Sequence, residues 1–75
     1  MKRMTYKGYI FDRDDLGRVY IYNTASPYSE DSDRIYVDAE TGKELKAIVN
    51  ARIATGRDVR RAWDLDGEFF PGGKR

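Results

Sequence analysis

The chain contains neither cysteine nor histidine, and this absence constrains its fold more than any other feature of its 75 residues. A chain of this length buries only about 60% of the surface that its unfolded form exposes. Many small domains add disulfides or a structural zinc ion, and neither can form here from cysteine or histidine. We therefore expect packing of apolar side chains to hold the fold. The same absence excludes cysteine nucleophiles and His-based triads.

The overall composition predicts a folded chain outside the membrane. Aromatic residues make up 13% of the sequence, which is high for a disordered segment, and charged residues make up 36%. No apolar run approaches the roughly 20 residues that a membrane-spanning helix needs, and no signal peptide is recognisable. We expect a cytoplasmic protein.

The first third of the chain has the alternation of a β-hairpin. Residues 4–12 and 18–23 are rich in β-formers, and a turn rich in Asp and Gly separates them. A polar loop follows at residues 24–33, and residues 34–38 form a third strand. The sequence therefore predicts an antiparallel sheet in this part of the chain.

Residues 42–55 fit two structures. A capping box at residues 41–44, apolar residues at helical spacing and a C-terminal Gly56 predict a helix. Against it, Thr-Gly-basic-acidic-aliphatic occurs at residues 41–45 and again at 55–59, which is typical of turns between antiparallel strands. Because Arg52 would lie within the helical apolar stripe, the strand interpretation is favoured and the helix is retained as the alternative.

The fold predicted from these elements is all-β, a small antiparallel meander of about five strands that is barrel-like or an open sandwich. The alternative is α+β, a three-stranded sheet with one helix at about 42–55 and a closing strand. Residues 1–70 are expected to form one β-rich domain, and residues 71–75 a flexible C-terminal tail. The predicted core residues are Tyr6, Ile10, Val19, Ile21, Ile35, Val37, Val49, Ile53, Val59, Trp63 and Leu65.

Charge is distributed unevenly although the formal net charge is only +1. Residues 12–44 carry nine acids and four bases, whereas residues 45–75 carry seven bases and four acids. Nucleic-acid binding proteins usually show a one-sided basic excess, which this chain lacks. The distribution favours one acidic and one basic face, each able to attract a complementary partner.

Acidic residues near the first turn resemble part of a calcium loop. Asp12, Asp14 and Gly17 fit the pattern, but Leu16 and Asn23 stand where ligands are needed, so an ordinary Asx turn is favoured. No nucleophile paired with a base can be named, and the carboxylate pairs lie on turns. We expect no enzymatic activity, no metal and no cofactor.

The sequence also predicts a layer of aromatic side chains opposite the core face of the hairpin. Such a layer serves as core, as a protein-binding face or as a stacking platform for single-stranded nucleic acid. Acidic residues in the adjoining loops favour protein over phosphate. The candidate partner-binding residues are Tyr9, Phe11, Tyr20, Tyr22, Tyr36, Glu30, Asp31, Asp33, Arg57, Arg60 and Arg61.

Residues 35–45 and 54–59, with Thr-Gly turns between short apolar segments, resemble the small β-rich accessory proteins of bacteriophages. The size, the lack of cysteine and the mixed charge resemble phage inhibitors of host machinery, including anti-CRISPR proteins. The resemblance implies stoichiometric occlusion of a host protein surface in the cytoplasm of a bacterium. It assigns no role to any single residue.

The function predicted from these observations is a non-catalytic protein-binding module. The resemblance implies, more specifically, a phage-encoded inhibitor of a host complex such as a CRISPR effector. The acidic loop at residues 28–33 would attract the partner or mimic phosphate. A second hypothesis is a small-barrel nucleic-acid binder that uses Tyr9, Tyr20, Tyr22, Tyr36, Arg52, Arg57, Arg60 and Arg61. A third is a homodimer formed through an exposed strand edge.

Overall fold

The computed structural model describes residues 3–25, 33–65 and 69. Contacts within the chain divide it into two compact units, Met1–Val37 and Asp38–Arg75. The first unit contains the strands, and the second contains an α-helix and a short 3₁₀ helix. In chain order the elements are β1 (Met4–Tyr6), β2 (Tyr9–Arg13), β3 (Val19–Asn23), β4 (Ile35–Tyr36), α1 (Gly42–Thr55) and the 3₁₀ helix (Ala62–Asp64).

The four strands form one antiparallel sheet in the order β1-β2-β3-β4. At its centre Phe11 pairs with Ile21, and Ile21 pairs in turn with Ile35. Directly paired residues share a face of the sheet, so these three side chains define the apolar face. Phe11 and Ile21 are fully buried.

Residues 4–12, predicted as one strand, are instead a second hairpin. A two-residue turn at Lys7 and Gly8 separates β1 from β2, and both residues have positive φ angles of 48° and 82°. Positive φ angles at two consecutive residues are characteristic of the type I′ turn, whose twist matches that of the flanking strands. Lysine seldom adopts a positive φ angle, so the residue types at positions 7 and 8 did not indicate this turn.

Helix α1 is the element for which the favoured strand interpretation was wrong. Thr41 is its N-cap: the Glu44 amide donates to the Thr41 hydroxyl at 3.2 Å, and the Thr41 amide donates to the Glu44 carboxylate at 3.1 Å. At the other end Gly56 takes the left-handed conformation (φ 69°) and its amide donates to the Arg52 carbonyl. The two Thr-Gly motifs therefore mark the two ends of one helix.

Arg52, the residue that argued against the helix, is accommodated by two hydrogen bonds. Its Nη1 donates to Asp58 Oδ1 at 2.9 Å and to the Val59 carbonyl at 2.8 Å. The side chain is only 15% exposed, so its aliphatic stem is covered while its charge is paired. A charged residue on the buried side of a helix is therefore compatible with the fold here.

The architecture is thus a four-stranded antiparallel sheet plus one helix, which agrees with the α+β alternative rather than with the all-β meander. The described residues do not form a closed barrel. Where a fifth strand was predicted, the 3₁₀ helix Ala62–Asp64 forms instead, and among the described residues a single parallel bridge joins Asp38 to Arg61.

The predicted core is partly confirmed. Val19, Ile21 and Val49 are buried, whereas Ile53 and Trp63 are exposed and were wrongly assigned. Ile53 lies seven residues after Lys46, so the two share the solvent side of α1. The remaining predicted members are half-buried: Tyr6, Ile10, Ile35, Val37, Val59 and Leu65.

The helix cap leads to a test of stability. Thr41→Ala removes one acceptor from the first turn of α1, and we expect it to lower the free energy of unfolding by about 1 kcal/mol. Thr41→Ser keeps the hydroxyl and should stay close to the wild type. Urea denaturation followed by circular dichroism measures both variants, and equal midpoints for Ala and Ser at this position would contradict the cap.

Candidate protein-binding surface

Strand register separates the aromatic residues that the sequence had grouped together. Phe11 lies opposite Ile21 on the apolar face, whereas Tyr20 lies opposite Asp12 and Tyr36 on the other face. The prediction that Tyr9 and Phe11 share a layer with the β3 tyrosines was therefore wrong. A change of one residue in register moves every side chain of a strand to the opposite face, and sequence alternation alone does not fix the register.

The polar face of the sheet carries tyrosines covered by arginines, which we call the Tyr–Arg layer. Its members are Tyr20, Tyr22, Tyr36, Arg3, Arg18 and Arg34. The Tyr20 ring lies 6.1 Å from that of Tyr22 and 5.8 Å from that of Tyr36, measured between centroids. The Arg34 guanidinium lies 4.4 Å above the Tyr20 ring. Stacked rings and a cation over a ring face stabilise each other.

Arginines also cover the outer positions of this layer. The Arg18 guanidinium lies 4.6 Å from the centre of the Tyr36 ring. Arg3 Nη2 donates to the Tyr22 hydroxyl at 2.7 Å. As a result Tyr20 and Tyr22 are only 2% and 8% exposed. These rings have almost no surface left for a partner, so the structure contradicts their assignment as contact residues on an open face, as it does for the fully buried Phe11.

Asp14 organises the β2–β3 turn next to this layer. Its Oδ1 accepts from the amides of Leu16 and Arg18, each at 2.9 Å, and its Oδ2 accepts from Arg18 Nε at 2.8 Å. This is the Asx turn that the sequence favoured over a calcium loop. The Asp14 side chain is only 7% exposed. Desolvation raises its pKa, but the hydrogen bonds from Arg18, Tyr36 and Leu16 outweigh that effect and hold the pKa below 3.8.

The predicted acidic contact residues and Tyr9 do not belong to the Tyr–Arg layer. Glu30 and Asp31 lie outside the described residues, and Asp33 is half-buried just before β4. Tyr9 is half-buried and pairs with Tyr6 and Asn23, away from the Tyr–Arg layer. The structure therefore does not bring the aromatic and acidic candidates into one described surface.

The three predicted arginines lie together in the residues that follow α1, which we call the 57–65 segment. Arg57, Arg60 and Arg61 are all exposed. Arg60 Nε donates to Asp58 Oδ1 at 3.0 Å, and Arg61 Nε donates to Asp64 Oδ2 at 3.1 Å. Exposed pairs of this kind contribute little stability, but they restrict the orientations of the long side chains.

Asp58 anchors the segment to α1. Its carboxylate accepts from Arg60 and also from Arg52 in the helix, and these hydrogen bonds, that of Arg60 first, lower its pKa. The backbone is held at two further points, since Arg52 Nη1 reaches the Val59 carbonyl and the Asp38 amide donates to the Arg60 carbonyl at 2.7 Å. The segment therefore has a defined conformation although most of its side chains face solvent.

Trp63 is the contact candidate that sequence reasoning missed. It lies in the 3₁₀ helix directly after the buried Ala62 and is 41% exposed. Alternation assigned it to a core strand, and no local signal in the sequence indicates the 3₁₀ turn. The Tyr–Arg layer did have a signal: Arg18, Tyr20 and Tyr22, like Arg34 and Tyr36, are spaced two apart and so share one face of a strand.

Comparison with known protein families, with curated proteins and with solved structures returned no match to this chain. In the described ranges there is no helix with the length and apolar character to cross a membrane. Nor do those residues contain a group of three or more acidic side chains placed to hold a metal ion. The assignment of function therefore depends on the geometry alone.

The lowered pKa of Asp14 predicts how stability depends on pH. Because its folded pKa lies below the unfolded value, the carboxylate stabilises the fold above the unfolded pKa, and this contribution is lost as the pH falls through the folded pKa. Asp14→Asn keeps one acceptor but loses the charge. We expect it to lower stability at neutral pH and to reduce the loss of stability that the wild type shows as the pH falls through the unfolded pKa and below it.

The control for this measurement is Asp15→Asn, which removes the same charge from an exposed position in the same turn. Thermal unfolding of the three proteins across the acid range gives the comparison. An Asp14→Asn profile that is parallel to both the wild type and the control would show that the carboxylate does not organise the turn.

Proposed function

We propose that this protein is a non-catalytic protein-binding module whose contact surface is the 57–65 segment. The proposal depends on a difference in exposure between aromatic residues. Trp63 is 41% exposed and follows Arg60 and Arg61 closely in the sequence, whereas Tyr20 and Tyr22 are almost fully buried. Tryptophan and arginine are the residues that most often dominate binding energy at protein interfaces. The proposal thus keeps the predicted arginines of the second unit and replaces the predicted aromatic residues of the first unit with Trp63.

The exposed part of Trp63 offers a useful amount of binding energy. A tryptophan of about 250 Å² that is two-fifths exposed leaves about 100 Å² for a partner to cover. At about 25 cal/mol per Å², covering it would contribute about 2.5 kcal/mol. A single hot-spot residue typically contributes this much.

The anchoring of the segment favours binding further. Asp58 ties its start to α1, and the pairing of Arg61 with Asp64 spans the 3₁₀ helix. A surface that is already ordered loses less conformational entropy on association. The backbone around Trp63 is therefore already ordered before a partner binds.

The charges of the segment favour a protein partner over nucleic acid. Asp58 and Asp64 lie among the arginines and pair with Arg60 and Arg61, so they reduce the positive potential that a phosphate backbone requires. Tyr20 and Tyr36, two of the tyrosines proposed for stacking bases, are covered by arginines. Mixed charge with an aromatic residue is more typical of a protein interface.

The sequence resemblance names a specific partner class, a bacterial host complex such as a CRISPR effector, bound by stoichiometric occlusion. The Thr-Gly motifs that carry this resemblance are the caps of α1 in the structure. The host complex is accordingly the partner class to test first, and the contact surface of the proposal does not depend on it.

Photocrosslinking tests the surface directly. We place p-benzoylphenylalanine at position 63 and, as a matched control, at position 16, where Leu16 is 77% exposed in the first unit. In bacterial lysate the position-63 protein should form one defined adduct that excess wild-type protein prevents, and the position-16 protein should not. Trp63→Ala should compete about thirtyfold less well than the wild type, since hot-spot truncations cost about 2 kcal/mol.

Two results would contradict this proposal. One is an equal adduct pattern from positions 63 and 16, which would show that contact is not specific to the segment. The other is full competition by Trp63→Ala, which would show that the indole does not contribute. Recovery of nucleic acid alone in the adduct would favour the nucleic-acid hypothesis.

A further inference from the structure

A cleft of about 410 Å³ opens between α1 and the 57–65 segment, within the second unit. Residues from the end of the helix form one wall, and the segment forms the other. The residues that line it are Ala51, Thr55, Arg57, Asp58, Val59, Arg60, Asp64, Leu65 and Phe69. Its volume is at the lower end of the range for ligand sites, enough for one or two side chains of a partner.

Four apolar residues contribute to the lining, and we call their surface the floor of the cleft. Ala51 is buried, and Val59, Leu65 and Phe69 are each half-buried, so part of each side chain still faces the opening. Covering these surfaces would release water from apolar groups, which favours an aliphatic or aromatic side chain as the occupant. An extended polar chain without such a side chain would gain little here.

The rim of the cleft carries a cation that is available for a ligand. Arg52 and Arg60 bind Asp58, and Arg61 binds Asp64. Arg57 is the fourth arginine near the cleft. Unlike these three, it has no ion pair with a carboxylate among the described residues. Its side chain is exposed, while its amide donates to the Thr55 hydroxyl at 3.1 Å, which holds the backbone at the mouth of the cleft.

We propose that this cleft binds an acidic segment of the partner protein, in which an Asp or Glu side chain lies next to a bulky aliphatic residue. The aliphatic side chain enters the floor, and the carboxylate binds the guanidinium of Arg57. Arginine suits this role because its planar group forms two parallel hydrogen bonds to a carboxylate. The inference rests on the proposed function and specifies the chemistry of the partner.

Charge complementarity is the argument for an acidic rather than a basic segment. Both described aspartates that line the cleft, Asp58 and Asp64, are engaged by local arginines, so among the described residues a lysine of a partner would meet no uncommitted carboxylate. The uncommitted group on the described rim is the positive one. Opposite charge also guides the approach of the segment and rejects partners of the same sign.

The probe is a blocked peptide, acetyl-Gly-Glu-Leu-Glu-Gly-amide, titrated into the ¹⁵N-labelled full chain by NMR. We expect shifts at the amides of residues 55–60 and 65, and little change in the sheet. Two matched peptides separate the contributions: Gln in place of both Glu, and Gly in place of Leu. Each should bind about fivefold more weakly, as expected for the loss of one charged contact or of one aliphatic contact.

Two variants assign the charge preference to one residue. Arg57→Gln should bind the Glu and Gln peptides equally. Arg61→Gln removes the same charge from a residue that does not line the cleft, and it should keep the roughly fivefold preference for Glu. Both residues are exposed, so both variants should fold, and their NMR spectra verify this.

Several outcomes would overturn the inference. These are no shifts at the cleft, equal binding of the Glu and Gln peptides by the wild type, or the same loss of preference in both variants. Shifts of the cleft residues by an oligothymidine but not by the peptide would favour nucleic acid. If the peptide fails while the position-63 adduct forms, the cleft assignment is wrong and the proposed contact surface stands.

Discussion

Pairing of Phe11 with Ile21 at the centre of the sheet is the constraint on which the structure of the first unit depends. Because residues on a strand alternate between faces, this one pair directs the apolar side chains to one side and Asp12, Tyr20 and Tyr36 to the other. The tyrosines then lie next to arginines spaced two residues apart on the same strands. The register therefore places these tyrosines on the polar face, where guanidinium groups lie over the Tyr20 and Tyr36 rings.

The same constraint explains why the sheet offers little to a partner. A tyrosine on a polar face is usually open to solvent on one side, but here guanidinium groups lie over Tyr20 and Tyr36. These arginines pack against the rings through cation–π contacts. In the second unit the situation is reversed, since Asp58 and Asp64 hold Arg60 and Arg61 on the surface and Trp63 lies exposed.

Much of the local structure could be predicted from the sequence, because it depends on neighbouring residues. The β2–β3 turn, the strand at β3 and both caps of α1 follow from residue types at fixed spacings. Features that have no pattern of residue types at a fixed spacing could not be predicted. The Arg52 side chain tolerates its position because Asp58 and the Val59 carbonyl bind it, and Trp63 is exposed because a 3₁₀ turn replaces a strand.

The candidate site, like the fold, could be predicted only in part from the sequence. Arg57, Arg60 and Arg61 were named from the charge pattern and are exposed, whereas the choice of Trp63 as the aromatic candidate required the 3₁₀ turn. Residue types suggested an aromatic and arginine-rich surface, but they did not distinguish exposed aromatic residues from covered ones. Only the tertiary structure distinguishes a covered aromatic residue from an exposed one.

Hydroxyl-radical footprinting of the native protein, read by mass spectrometry, tests the central claim most directly. It compares the oxidation of Trp63 with that of Tyr20 and Tyr22, each corrected by its rate in the urea-unfolded chain. We expect strong protection of the two tyrosines and little protection of Trp63. Equal protection of all three, or tyrosines that react as freely as the tryptophan, would contradict the account.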